Sequence, residues 1–268
     1  MKREKRRLVQ LLFLLILALI VMNYHYLDSY ATGKFVESQK ETVSVIRVVD
    51  GDTIKINNSG KEDTVRLLGI NTPEKGERYY KEAKDFLNLT LTGKEITLEK
   101  GRGDRDRYDR LLRYVFLNGE NVNEKIIREG YANYYFPSGY DAHSFELIKA
   151  FDSCVKNNLY FCEASKDVCS KCIVLKELNV KDQEVVLYNE CENECDITSW
   201  SIKDEGRKKY IFGNYTLNGK EEVHIIVGSG KNTNNKLIWV RSDYVWNEDH
   251  DTIFLRDNED GLVLYKRH

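Results

Sequence analysis

Four short blocks of this 268-residue chain hold side chains able to hydrolyse an anionic ester. They are Val49-Asp50-Gly51-Asp52-Thr53, Arg66-Leu67-Leu68-Gly69-Ile70-Asn71-Thr72-Pro73-Glu74, Asp106-Arg107-Tyr108-Asp109-Arg110-Leu111 and Val122-Asn123-Glu124. Asp52, in a turn after a strand, is a hard oxygen donor suited to Ca2+ or Mg2+. Arg66 and Arg110 carry planar guanidinium forks that match phosphate oxygens. Glu74 follows Pro73, whose fixed φ helps aim a carboxylate. Water attacking a phosphodiester builds negative charge. The reaction needs a hard cation, fixed positive donors and a group that orients or deprotonates water. Each block alone has an ordinary structural reading. Asp50-Gly51-Asp52 is a common turn, and an arginine on a strand is commonly a solvated charge.

The order and gaps of the four blocks resemble the thermonuclease family of staphylococcal-nuclease-like domains, from about Val45 to Phe161. The resemblance takes in the segment running on to Gly130-Tyr131-Ala132 and a last helix ending at Leu159-Tyr160-Phe161. It implies a five-stranded OB barrel with three helices. It implies that Asp52 is the first metal carboxylate, that Thr72 offers its backbone carbonyl, and that Arg66 and Arg110 clamp the phosphate and the transition state. Glu74 would activate or order the attacking water. Ca2+ as cofactor, single-stranded DNA and RNA as substrates, and 3′-phosphate ends are implied with them. Tyr131, Tyr134 and Tyr135 follow the second helix and are candidates for stacking on a base; their other reading is as core or surface aromatics. The sequence departs from the family twice. Asn71 stands where the family's reference enzyme has aspartate, which keeps an oxygen in the metal set but removes a charge, so weaker Ca2+ binding is expected. Asp109 stands where a glycine precedes the arginine, adding a carboxylate beside Arg110.

The elements that must position these residues follow from periodicity. β-Branched runs at Val43–Val49, Thr53–Ile56 and from Thr64, then Glu95–Glu99 and Leu111–Leu117, predict strands. Tyr79–Leu91, Asn121–Glu129 and Phe145–Asn157 predict helices, the second stopped by Gly130. Beyond a cysteine-containing junction at 164–172, short strands are predicted at Glu184–Tyr188, Trp200–Lys203, His224–Val227, Leu237–Val240, Thr252–Leu255 and Leu262–Tyr265. Their spacing is that of a β-sandwich. Ile173 to His268 resembles a lamin-tail-like domain of immunoglobulin type, carried by Glu184–Asn189, Asp196–Ile202, Val227–Gly230, Val245-Trp246-Asn247 and Asp251–Asp257. The whole is mainly β with some α: residues 43–163 form the barrel domain and 173–268 the sandwich.

Cys154, Cys162, Cys169, Cys172, Cys191 and Cys195 are an even set that favours disulfides, with Cys191–Cys195 the first choice of pair. Zinc held by Cys169, Cys172, Cys191 and Cys195 is the rival. A basic start, Met1 to Arg7, leads into an apolar run from Leu8 to Met22. Residues 1–27 therefore read as a signal anchor or a cleaved signal peptide, and 28–42 as a polar tether. Either case puts the remainder outside the cytoplasm, held at a membrane or released.

The net charge of −2 does not announce a polyanion binder. From Ile173 onward, 13 Lys and Arg face 18 Asp and Glu, a net of −5. The local basic stripe is Arg102, Arg105, Arg107, Arg110 and Arg113. The chain thus reads as a monomeric exported nuclease, whose acidic second domain serves as a spacer or binds a surface or cell-wall ligand. The alternatives are a tethered nucleic-acid-binding module that does not cut, kept open by Asn71, and a mainly adhesive protein.

Overall fold

The β-branched residues between Val43 and Val48 form the first strand of the computed structural model, which describes residues 40–268. The expected signal or anchor segment lies outside these residues. So does most of the tether, whose last residues already belong to β1 (Lys40–Asp50). Among the described residues, no helix is long and apolar enough to cross a membrane.

After β1 come β2 (Thr53–Asn58), β3 (Lys61–Leu67), the short β4 (Ile70–Asn71), α1 (Tyr80–Leu91), β5 (Glu95–Arg105), β6 (Leu111–Leu117), β7 (Glu120–Asn121), α2 (Val122–Arg128), β8 (Asn133–Tyr134) and α3 (Ser144–Asn157). The ladder runs β3-β2-β1-β5-β6, and a parallel pairing of Val65 with Leu111 through Leu67 with Arg113 closes it into a five-stranded barrel. Closure removes the free strand edges. This is the OB-type barrel with three helices that the sequence led us to expect. α1 buries Ala83, Leu87 and Leu91, one residue per turn on one face. α2 starts at Asn121, whose side chain accepts from the amides of Asn123 and Glu124. It ends before Gly130, at φ +85°.

The second lobe has β9 (Ile173–Asn179), β10 (Glu184–Asn189), β11 (Cys195–Asp196), β12 (Ser201–Lys203), β13 (Lys209–Ile211), β14 (Thr216–Leu217), β15 (Glu222–Gly228), β16 (Lys236–Val240), β17 (Thr252–Arg256) and β18 (Leu262–Arg267). Two four-stranded sheets, β16-β15-β10-β9 and β13-β12-β17-β18, share a core around Trp200 and Trp246. The six strands predicted for this lobe are present. β9, β11, β13 and β14 were not foreseen: the last three are two or three residues long, and the charged pair Lys176-Glu177 interrupts the apolar run of β9.

All six cysteines are paired, as Cys154–Cys162, Cys169–Cys195 and Cys172–Cys191. The expected Cys191–Cys195 pair is therefore wrong, and no thiolate set remains for zinc. Cys169 and Cys172 sit on and just after a 3-10 turn (Val168–Lys171), and each reaches across to the 191–195 loop, with Cα–Cα distances of 5.6 and 5.3 Å. The bridges staple the junction to the sandwich, a partner choice that only the folded loop decides.

β17 joins the two lobes. Its alternate residues face opposite ways, as strand geometry requires. Ile253 and Leu255 enter the sandwich core, whereas Phe254 enters the barrel's core. Phe254 meets Phe151 edge-on at 5.6 Å. On the same side, Thr252 Oγ1 lies 2.9 Å from Tyr134 Oη, and Arg256 donates to the Phe161 carbonyl at 2.7 Å. Residues from Glu41 to His268 accordingly form one compact unit.

The β12–β13 hairpin tip completes the join. Glu205 is buried; it accepts from Thr252 Oγ1 at 2.8 Å and from the Phe136 amide at 3.3 Å, and Asn133 Nδ2 donates to its carbonyl at 2.8 Å. Burial pushes the Glu205 carboxyl up to about 8, against the Thr252 hydrogen bond and with help from Asp251.

Two outcomes are expected. Phe254→Ala should lower unfolding stability by about 3–5 kcal/mol in a denaturant titration, as for a fully buried phenylalanine. Above about pH 4.5 the unfolded chain has released the Glu205 proton that the folded chain keeps. Stability should therefore fall as pH rises toward about 8, and Glu205→Gln should remove most of the fall between pH 6 and 8. An unchanged slope in that variant would refute the assignment.

Candidate active site

The turn between β1 and β2 brings Asp52 inward. Gly51 makes this possible: a Cβ there would stand 2.9 Å from Thr72 Oγ1 and 3.1 Å from the Ala83 Cβ. Asp52 is buried and takes three donors. Thr53 Oγ1 donates to Oδ1 at 2.8 Å, Thr72 Oγ1 to Oδ2 at 3.2 Å, and Arg66 Nη2 pairs with Oδ2 at 2.8 Å. Arg66, near the end of β3, is buried as well; it also donates to the carbonyls of Leu67 at 2.8 Å and Ile70 at 3.0 Å. Burial pulls its guanidinium below the usual arginine range, against the attraction of Asp52. Repulsion from Arg110 and Arg207 adds to the burial effect, so three guanidiniums converge here.

Arg110 enters from the loop before β6. Its Nε donates to Asp106 Oδ2 at 2.7 Å, and Nη1 lies 3.4 Å from Thr53 Oγ1. Burial of Asp106 opposes its ionisation, yet the donors from Arg110 and the Tyr108 amide hold it below the usual carboxylate range. Asp109 lies between them at φ +62°, a left-handed position that glycine fills readily and aspartate tolerates. Its carboxylate is turned to Arg105 at 3.6 Å. The carboxylate expected beside Arg110 is thus not that of Asp109: Asp106 is the partner of Arg110.

Asn71 is buried on β4. Its Nδ2 donates to the Gly206 carbonyl at 2.9 Å and, more weakly, to that of Glu205 at 3.5 Å, across the lobe boundary. Its Oδ1 is buried and accepts no hydrogen bond. An unpartnered amide oxygen one residue from Thr72, whose hydroxyl donates to Asp52, fits a hard cation rather than a soft one. Among the described residues no three His, Cys, Asp or Glu side chains gather into a metal set. Glu74 is partly exposed, and its Oε1 pairs with Arg207 Nη2 of the hairpin tip. Asn123 is fully buried and structural: it accepts from the Val115 amide at 2.9 Å and donates to the Leu68 carbonyl at 2.8 Å.

A cleft of about 830 Å³ opens beside this place; Asp52, Asn71, Thr72 and Glu74 are not among the residues that line it. Arg66, Arg110 and Tyr135 line it, together with Tyr108, Arg207, Lys208 and Arg241, which sequence reasoning did not single out. Tyr108 lay inside a recognised block and its ring is exposed, so position after a charged turn was the available signal. Nothing in the sequence pointed to the residues from the second lobe. Of the three tyrosines expected to stack on a base, Tyr134 is a correction. It is fully buried among Phe136, Phe151 and Phe254 and offers no open face. Tyr131 stacks on Tyr160 at 4.7 Å and does not line the cleft. Tyr135 does, packed against Gly206, where a Cβ would meet its ring at 3.0 Å. In the basic stripe, Arg113 is buried and turned to Asp104 at 2.9 Å, whereas Arg102, Arg105, Arg107 and Arg110 line the cleft.

Comparison with known proteins agrees with this division. Residues 64–157 match the family model of the staphylococcal nuclease homologue, and residues 164–265 match that of the lamin tail domain. The chain is 35% identical over 130 residues to thermonuclease of Staphylococcus hyicus, covering 45% of this chain and 77% of that protein. It is 33% identical over 156 residues to thermonuclease of Staphylococcus intermedius, covering 54% and 92%. Endonuclease YncB of Bacillus subtilis (strain 168) is 39% identical over 122 residues, covering 41% and 56%.

Asp52→Ala should destabilise the fold by about 3–5 kcal/mol in urea, because it leaves Arg66 buried without a counter-charge. Asp52→Ala with Arg66→Met should be less destabilised than Asp52→Ala alone. A double variant at least as unstable as the single one would show that Arg66 is held by its carbonyl contacts instead.

Proposed function

This chain belongs to the family of staphylococcal nuclease homologues, and we propose that it is a Ca2+-dependent nuclease that cuts single-stranded DNA and RNA and leaves 3′-phosphate ends. Its enzyme class is that of the family, a phosphodiesterase. The observation that carries the finer reading is the convergence of Arg66 and Arg110 on one cleft, with Asp52 buried behind Arg66 and Asn71 Oδ1 left without a donor.

Asp52, the Asn71 amide oxygen and the Thr72 carbonyl would hold the cation. When bound, it supplies Lewis-acid polarisation of a phosphoryl oxygen. Asn71 brings no charge, so affinity for Ca2+ stays low until a substrate phosphate adds its own. Arg110 keeps N–H donors beyond those given to Asp106 and offers them to the oxygens on which charge develops. Arg66 does the same from a buried, preset position. Glu74, once free of Arg207, takes the proton of the attacking water. Tyr135 and the exposed Tyr108 offer ring faces for bases.

We further propose that the chain works outside the cytoplasm, held at a membrane or released. Three disulfides support an oxidising compartment.

The test is cleavage of denatured DNA and of RNA with Ca2+ and with chelator, followed by end-group analysis. Chelator should abolish cutting, and Glu74→Gln should lower kcat by about 10²–10⁴. Retained DNA binding with no cutting at any Ca2+ level would instead favour a tethered binding module. Asn71→Asp should tighten Ca2+ binding. It should also cost about 1–3 kcal/mol of stability without Ca2+, because a carboxylate would then face the Gly206 carbonyl.

A further inference from the structure

The second lobe carries a net charge of −5 and by that measure should repel a polyanion. Its cations nevertheless reach the cleft. Arg207 and Lys208 stand at the β12–β13 tip, and Arg241 follows β16. With the barrel's arginines they bring the lining to eight Lys and Arg against four Asp, in a chain whose overall charge is −2.

Each of the three has a local partner. Arg207 pairs with Glu74, with side chains 58% and 43% exposed. Arg241 meets Asp243 at 2.9 and 3.0 Å, and Lys208 lies 3.9 Å from the same carboxylate. The solvated Arg207–Glu74 pair contributes little and exchanges readily for another anion, while the Arg241 fork on Asp243 and Lys208, which also donates to the Tyr244 carbonyl, keep further N–H donors for one. The backbone beneath Arg207 and Lys208 is fixed, because Glu205 is buried against Asn133 and Phe136, and Asn71 holds the Gly206 carbonyl. The cations are thus preset at the cleft rather than ordered by a ligand. The cleft between the lobes stays open, so the tip flanks the site without filling it.

Resting on the nuclease reading above, we propose that the sandwich lobe is the second wall of the nucleic-acid groove. Arg207, Lys208 and Arg241 bind backbone phosphates of the strand that Arg66 and Arg110 engage. Arg207 leaves Glu74 for a phosphate as the strand enters, so the carboxylate is released to water only when substrate is in place.

The experiment uses the full chain, a fluorescent single-stranded oligothymidylate and chelator, so that binding is read without cutting. Anisotropy is followed over a salt series for the wild type and for Arg207→Gln/Lys208→Gln/Arg241→Gln. Each phosphate contact on a single strand contributes about 0.7 to the slope of log K against log salt. The triple variant should show a slope shallower by about 2 and a Kd about ten- to a hundredfold higher near 0.1 M salt. Arg207→Lys should retain most of the affinity. If the triple variant fails to fold, Arg207→Gln alone should lower the slope by about 0.7. An unchanged Kd and slope, in a chain whose wild type binds and cuts, would make the lobe a spacer and overturn the proposal. An unchanged Kd with a raised kcat would show that Arg207 restrains Glu74 without ever passing to a phosphate, and would overturn it as well. A wild type that neither binds nor cuts with Ca2+ would overturn the nuclease reading itself.

Discussion

The two-faced burial of β17 is the constraint on which the rest of this structure depends. A strand buried on both sides cannot shift register by one residue without exchanging its two faces. Ile253 and Leu255 commit one face to the sandwich, and Thr252, Phe254 and Arg256 commit the other to the barrel. With that register set, the neighbouring β12–β13 hairpin has one place to go, and its tip lands on β4 and β8. The position of Arg207 over Glu74 is thus a remote consequence of apolar packing.

Within the barrel lobe the site is built around one buried ion pair. Asp52 and Arg66 would each be costly to bury alone, since a desolvated charge is tolerated only with a partner and further hydrogen bonds. Both have them: Thr53 and Thr72 satisfy the carboxylate, and the Leu67 and Ile70 carbonyls satisfy the guanidinium. The pair fixes two chemically different groups side by side, a carboxylate and a guanidinium. Arg110, tied to Asp106, brings the second guanidinium from the loop before β6, the strand that pairs with β3.

Asn71 shows how the second lobe altered the first. An aspartate at this position would face the Gly206 carbonyl, oxygen against oxygen. The amide resolves this by donating there while keeping its own oxygen free. Asn71 thereby helps hold the sandwich lobe against the barrel.

Much of this was legible in the sequence. β-Branched runs and a spacing of four fixed the barrel strands and the three helices, since local burial patterns follow directly from backbone geometry. The family's blocks named Asp52, Arg66, Glu74 and Arg110, because a site assembled inside one compact domain leaves its residues in a fixed order. Contacts between remote segments were not legible. Cys191 and Cys195 looked like a pair because they are neighbours in the chain, yet the fold gives each a partner from the junction. Tyr134 looked like a stacking ring, but the docking of Phe254 encloses it. The acidic total of the second lobe concealed three cations that topology gathers at one edge. Sequence alone determined which groups this protein has for its chemistry and the local elements that carry them. Only the tertiary structure decided which of them face the cleft, because that choice is made by packing between segments far apart in the chain.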